Sequence, residues 1–120
     1  MVRRPGRTRP IESNVLRLRG VEGLRGGEWT IGPDHVEVAS FIGLAAVTGG
    51  DVTIDGVKND DLLSILPTFA RLGVRVEVGD GTIRVPPGQE LYIEDDIGGY
   101  IPKIEDGPWP AFPSDCTSIA

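Results

Sequence analysis

The chain has 120 residues, one ordinary domain's length, and its 39% hydrophobic and 25% charged content excludes disorder throughout. No apolar run approaches the ~20 residues of a membrane span, no signal-peptide core is expected after Met1, and one cysteine with one histidine excludes an intramolecular disulfide and a zinc cluster. The four arginines of residues 1–9 contribute +4 to the overall −6, so residues 10–120 carry −10, an acidic body expected to repel nucleic acid and anionic membrane, and a reducing, cytoplasmic setting fits best.

Residues 1–13 read as a basic flexible tail or linker, with a phosphate-rich partner as the rival use of Arg3, Arg4, Arg7 and Arg9. From residue 14 the domain begins. Val15, Leu16 and Leu18 predict a strand with Arg17 and Arg19 facing water, and a second short strand is expected at Trp29–Ile31. Asp34, with Glu37 three residues on, predicts an acidic capping box opening a helix. Val38, Phe41, Ile42, Ala45 and Ala46 form its apolar face, and Gly49-Gly50 ends it.

Residues 51–57 alternate as a strand around Val52, Ile54 and Val57. Asn59 or Asp60 then caps a second helix whose buried stripe is Leu62, Leu63, Leu66, Phe69 and Ala70, kinked by Pro67 and stopped by Gly73. Residues 74–85 predict a hairpin turning at Asp80-Gly81. The fold class is therefore α/β in the α+β sense: one β-α-β-α-β-β unit over about 28–85, with helices on one face of the sheet. The other face is left solvated or packed on a repeat. Tyr92-Ile93 predicts a strand opening a second unit over about 90–120, and Asp115 caps a helix that stops at Ala120, so the chain reads as cut off.

Gly107 to Asp115 carries three prolines that force an extended backbone into a helix start. Two readings stand: a proline-rich turn packing Trp109 and Phe112 with Asp115 as a plain cap, or a helix N-terminus facing a cleft for an anionic substrate. Trp109-Pro-Ala-Phe-Pro-Ser-Asp115 resembles the Pro-x-Phe-Pro-Thr-Asp segment of the bacterial enolpyruvyl transferase family. Collinear likenesses support this. Gly32-Pro33-Asp34-His35-Val36-Glu37 looks like that family's helix start, Phe41–Gly50 like its Ala-Ala-x-x-Gly-Gly helix, and Leu62–Val78 like its helix-then-strand stretch.

The resemblance implies one domain of an inside-out α/β barrel built from such units, the remaining units belonging to a longer polypeptide. It implies transfer of the enolpyruvyl group from phosphoenolpyruvate to the 3-hydroxyl of UDP-N-acetylglucosamine, with phosphate released and no cofactor. The sister branch acting on shikimate 3-phosphate (3-phosphoshikimate 1-carboxyvinyltransferase) is one rival, and a non-catalytic α/β binding module is another. Carried over residue by residue, Asp115 matches the aspartate that contacts the sugar 3-hydroxyl as catalytic base and binding group. Asp34 matches a cleft-end aspartate, a substrate-binding candidate beside its plain reading as a cap. His35 stands where the family has arginine, and Ser114 where it has threonine.

Cys116 does not match the family's catalytic cysteine, which lies on a glycine-rich loop of the other domain. It reads as a small buried residue whose position at a helix start lowers its pKa. The family's Lys-Asn phosphoenolpyruvate site and its phosphate-clamping arginines have no counterpart, so the chain alone is expected to be inactive. Arg17, Arg19, Arg71, Arg75 and Arg84 read as solvated surface.

Overall fold

The computed structural model describes residues 18–93, 95, 98–100, 103–108 and 111–118. The basic tail, most of the strand expected from residue 14, and Trp109-Pro110 of the proline-rich motif lie outside the described residues.

Helix α1 spans His35–Thr48. Asp34 is its N-cap, and the carboxylate accepts the amide hydrogen of Val36 at 2.9 Å, so the bond goes to the second helical residue and not to Glu37 as a capping box requires. Gly49 ends the helix in the left-handed region (φ 68°), where a side chain would be strained, and the Gly50 amide donates to the Ala45 carbonyl at 3.0 Å. Val38, Ala39, Ile42, Ala45 and Ala46 are buried. Phe41 is not; with Leu44 and Val47 it lies on a second, open apolar face of the helix.

Strand β1 (Val52–Asp55) follows, then a 3₁₀ turn over Asn59–Leu62 and helix α2 over Ile65–Arg71. The single kinked helix expected here is two pieces. Pro67 sits in the first turn of α2, where its missing N–H has no intrahelical partner to lose. The tighter 3₁₀ turn aligns residues three apart, so Leu62, Ile65 and Phe69 are buried while Leu63 swings out to 72% exposure and Ala70 faces solvent. Neither Asn59 nor Asp60 caps a helix. Asn59 donates its amide to the Gly79 carbonyl at 2.8 Å, while Lys58 pairs with Asp61 at 3.2 Å. Gly73 ends the segment at φ 78°, with Tyr92 lying so close that a Cβ would meet its ring at 2.7 Å.

Strands β2 (Glu77–Val78) and β3 (Thr82–Val85) form a hairpin turning through Asp80 and Gly81, but its first strand is shorter than expected, since Val74 and Val76 lie outside the ladder. The sheet is antiparallel with order β1-β3-β2, and Val52 faces Val85, Ile54 faces Ile83, and Val78 faces Ile83. Helix α1 packs on β1 and β3, and Ile83 and Val85 join the core of both helices. The opposite face is polar and solvated. There Arg84 grips Asp51 with two bonds (2.9 and 2.8 Å) and Glu77 with a third at 3.0 Å. Arg84 is thus an ion-pair centre and not free surface, and its guanidinium holds the Asp51 carboxyl below the usual carboxylate range.

Two expected strands do not form. Trp29 and Ile31 are exposed (82% and 89%), flanked by glycines, with no strand beside them, and a three-residue strand without a ladder or a buried face has nothing to hold it. Tyr92 spends its amide hydrogen on the Leu72 carbonyl (3.2 Å) at the end of α2, which leaves Tyr92-Ile93 as an extended strap. Gln89 fastens the start of that strap to residue 75 by both ends of its amide, accepting from the Arg75 N–H at 3.0 Å and donating to the Arg75 carbonyl at 2.8 Å. The described residues therefore make a small α+β body with a three-stranded antiparallel sheet, without the leading strand of the β-α-β-α-β-β order.

Candidate functional site

The proline-rich segment returns to the core through Phe112 and Cys116, one helical turn apart, and both are buried. Between them Ser114–Cys116 make a 3₁₀ turn that starts after Pro113. Asp115 is inside this turn, not its cap, and it opens no longer helix among the described residues. The turn is closed by the Cys116 amide to the Pro113 carbonyl (2.9 Å) and by the Thr117 hydroxyl to the Ser114 carbonyl (2.6 Å). With its neighbours at 112 and 116 anchored inward, the Asp115 side chain is left in solvent.

Upstream, the segment is folded onto itself and onto α2. The Gly107 amide donates to the Phe112 carbonyl at 3.0 Å, alongside a bridge between Asp106 and Phe112. The Ser64 hydroxyl reaches the Ala111 carbonyl at 3.2 Å, and Arg71 donates to the Lys103 carbonyl at 3.4 Å. Ser64 was hidden from sequence reasoning because its partner is 47 residues away.

The 3₁₀ turn packs against α1, whose N-cap is Asp34. Cys116 lies at that seam. Its thiol is pushed up, first by burial, then by the charges of Asp115 and Asp34. The lowering expected from a helix start is thus reversed: a three-residue turn has little dipole to offer, while desolvation and two carboxylates both oppose a thiolate. The charges of Asp34 and Asp115, far apart in sequence, thus both act on one buried sulfur. Both carboxylates are exposed, and His35 follows Asp34 half-buried at the start of α1. Among the described residues no group of three His, Cys, Asp or Glu side chains is arranged to hold a metal ion, and no helix is long and apolar enough to cross a membrane.

Such a site has two solvent-facing carboxylates and a thiol kept neutral. It is equipped to accept hydrogen bonds and a proton from a hydroxyl.

Known proteins share this segment. UDP-N-acetylglucosamine 1-carboxyvinyltransferase of Treponema pallidum is 49% identical over 109 residues, 91% of this chain and 26% of the relative. The proteins of that name from Treponema denticola and Bradyrhizobium diazoefficiens are each 46% identical, over 91% and 92% of this chain. The chain spans about a quarter of the length of the relatives it matches. The family model of EPSP synthase (3-phosphoshikimate 1-carboxyvinyltransferase) matches residues 9–115, ending on the aspartate presented by the 3₁₀ turn. Since that match covers most of the chain, the chain belongs to the EPSP synthase (3-phosphoshikimate 1-carboxyvinyltransferase) family.

Proposed function

We propose that this chain works within an enzyme that transfers the enolpyruvyl group of phosphoenolpyruvate to the 3-hydroxyl of UDP-N-acetylglucosamine, the first committed step of peptidoglycan synthesis, in the cytoplasm. The observation that carries this reading is the name shared by relatives 46–49% identical over nine-tenths of the chain. The same likeness favours a nucleotide sugar over shikimate 3-phosphate as acceptor, and an enzyme over a binding module. The inside-out barrel is the architecture we infer for that enzyme. The open apolar face of α1 supports it, because a helix apolar all round belongs in the interior of a larger body.

As the 3-hydroxyl oxygen bonds to C2 of phosphoenolpyruvate, its proton must be taken up, and inorganic phosphate leaves as the C2–O bond to the phosphate breaks. Asp115 is the acceptor, held outward by Phe112 and Cys116. Asp34, across the seam, binds substrate as a second acceptor. The neutral Cys116 thiol takes no part in proton transfer. The cations that bind two phosphorylated substrates lie in other parts of the enzyme, so the chain alone turns nothing over.

The test seats this chain in place of the matching 109 residues of the Treponema denticola relative and replaces Asp115 by Asn. The amide keeps the shape and loses the proton acceptor, so turnover should fall by ~10²–10⁴, roughly 3–5 kcal/mol, with nucleotide-sugar affinity largely kept. Near-unchanged turnover in a folded Asp115→Asn protein refutes the assignment.

A further inference from the structure

Ser64 occupies the N-cap position of α2, where a serine ordinarily turns its hydroxyl onto the helix's own free amides. Here it makes no such bond. Its backbone stays helical (φ −91°, ψ −23°), and the hydroxyl instead donates to the Ala111 carbonyl at 3.2 Å. Ala111 is four residues before Asp115. Between them stand Phe112, Pro113 and Ser114: the first is buried in the core, and the second has its φ fixed by the ring. A restraint on the Ala111 carbonyl is therefore passed along a stiff link to the 3₁₀ turn. Short α2, of seven residues, forgoes a side-chain cap to supply it.

Resting on the reading of Asp115 given above, we propose that Ser64 is a positioning residue for that carboxylate, tethering the segment before it to α2. The bond is the hydroxyl's function, and capping is not. This separates Ser64 from a merely structural serine, because the two roles respond oppositely to one substitution. Aspartate caps a helix as well as serine does and suits the positive end of the helix dipole, but an ionised carboxylate has no hydrogen to donate. Threonine keeps the donor.

The experiment has two arms. In the 120-residue chain, amide hydrogen exchange is followed at Gly107, Cys116 and Thr117, whose hydrogen bonds close the segment. Ser64→Asp and Ser64→Ala should speed exchange there by about three- to tenfold, the worth of one exposed hydrogen bond. Ser64→Thr should restore the slow rates, and Ser64→Asp should leave the melting temperature unchanged or higher. Unchanged exchange at those amides overturns the tether.

In the hybrid enzyme described above, Ser64→Asp should lower kcat by about three- to tenfold with little change in the nucleotide-sugar KM, and Ser64→Thr should recover it. Faster exchange with kcat unaltered, where Asp115→Asn is inactive, overturns the positioning role. An active Asp115→Asn protein instead sinks the catalytic reading of Asp115, leaving the exchange result to decide the tether by itself.

Discussion

Cys116 shows how a residue's neighbours outweigh its place in the chain. Sequence position alone puts it at a helix start beside the aspartate, the setting in which thiols become reactive. In the structure its side chain is wholly buried between α1 and the 3₁₀ turn, and burial together with Asp115 and Asp34 favours the neutral thiol. The consequence is a pH dependence of definite sign. In the unfolded chain the thiol ionises at roughly pH 8.5, and in the folded chain only at higher pH. Its contribution to stability is therefore complete below about pH 8.5 and is lost as pH rises through the folded value, with a slope of at most ~1.4 kcal/mol per pH unit. Urea melts of the chain between pH 7 and pH 10 should show that decline, and Cys116→Ser should flatten it. A decline equally steep in the serine variant would assign it to other groups.

Asp34 satisfies the Val36 amide at the start of α1, and its charge is felt by Cys116 in the 3₁₀ turn that carries Asp115. The substrate-binding role proposed for it is separable from the cap. Asp34→Ala removes both roles and should cost about 1 kcal/mol of stability, the usual value of a lost cap. Asp34→Asn retains the cap, so thermal stability should hold within a few tenths of a kcal/mol while nucleotide-sugar binding by the hybrid enzyme weakens. Equal binding by Asp34→Asn and the parent would reduce Asp34 to a cap.

That helix was legible from sequence at both ends because each end is set by local chemistry, an aspartate at one and a left-handed glycine at the other. The hairpin was legible for the same reason. Pro67 predicts a kink within one helix, whereas it stands in the first turn of a separate helix. A proline can bend a helix or begin a new one, and the choice lies with the core that takes up Leu62, Ile65 and Phe69. Trp29–Ile31 and Tyr92-Ile93 carry strand-forming residues, but a strand exists only by pairing, and pairing partners are written elsewhere in the chain. The candidate site divides in the same way. Asp115 and Asp34 are candidates that motifs alone supply, whereas their shared electrostatic influence on Cys116, and the reach of Ser64 to Ala111, are long-range facts with no local signal.

Over the whole molecule, the distribution of apolar surface decides how the chain behaves in solution. The sheet face without helices is polar, bearing Thr53, Asp55, Thr82 and the Arg84 ion pairs, so it gives no adhesive surface. The apolar exposure lies on the helix side instead. Phe41, Leu44 and Val47 are spaced three residues apart along α1 and remain 45%, 54% and 70% exposed. Beside Val47 opens a cavity of about 240 Å³, lined by Phe69, Leu72, Leu91 and Tyr92 among others. A contiguous apolar stripe of this kind is where a soluble domain associates or binds hydrophobic probes. The 120-residue chain should therefore bind 1-anilinonaphthalene-8-sulfonate and sediment with a concentration-dependent mass near neutral pH, despite a net charge of −6. Phe41→Gln combined with Leu44→Gln should reduce both signals severalfold at a modest cost in stability, because about half of each side chain is already exposed. Thr53→Lys, on the polar sheet face, serves as the control and should change neither. Association that survives the double glutamine variant and disappears with Thr53→Lys would place the adhesive surface on the sheet.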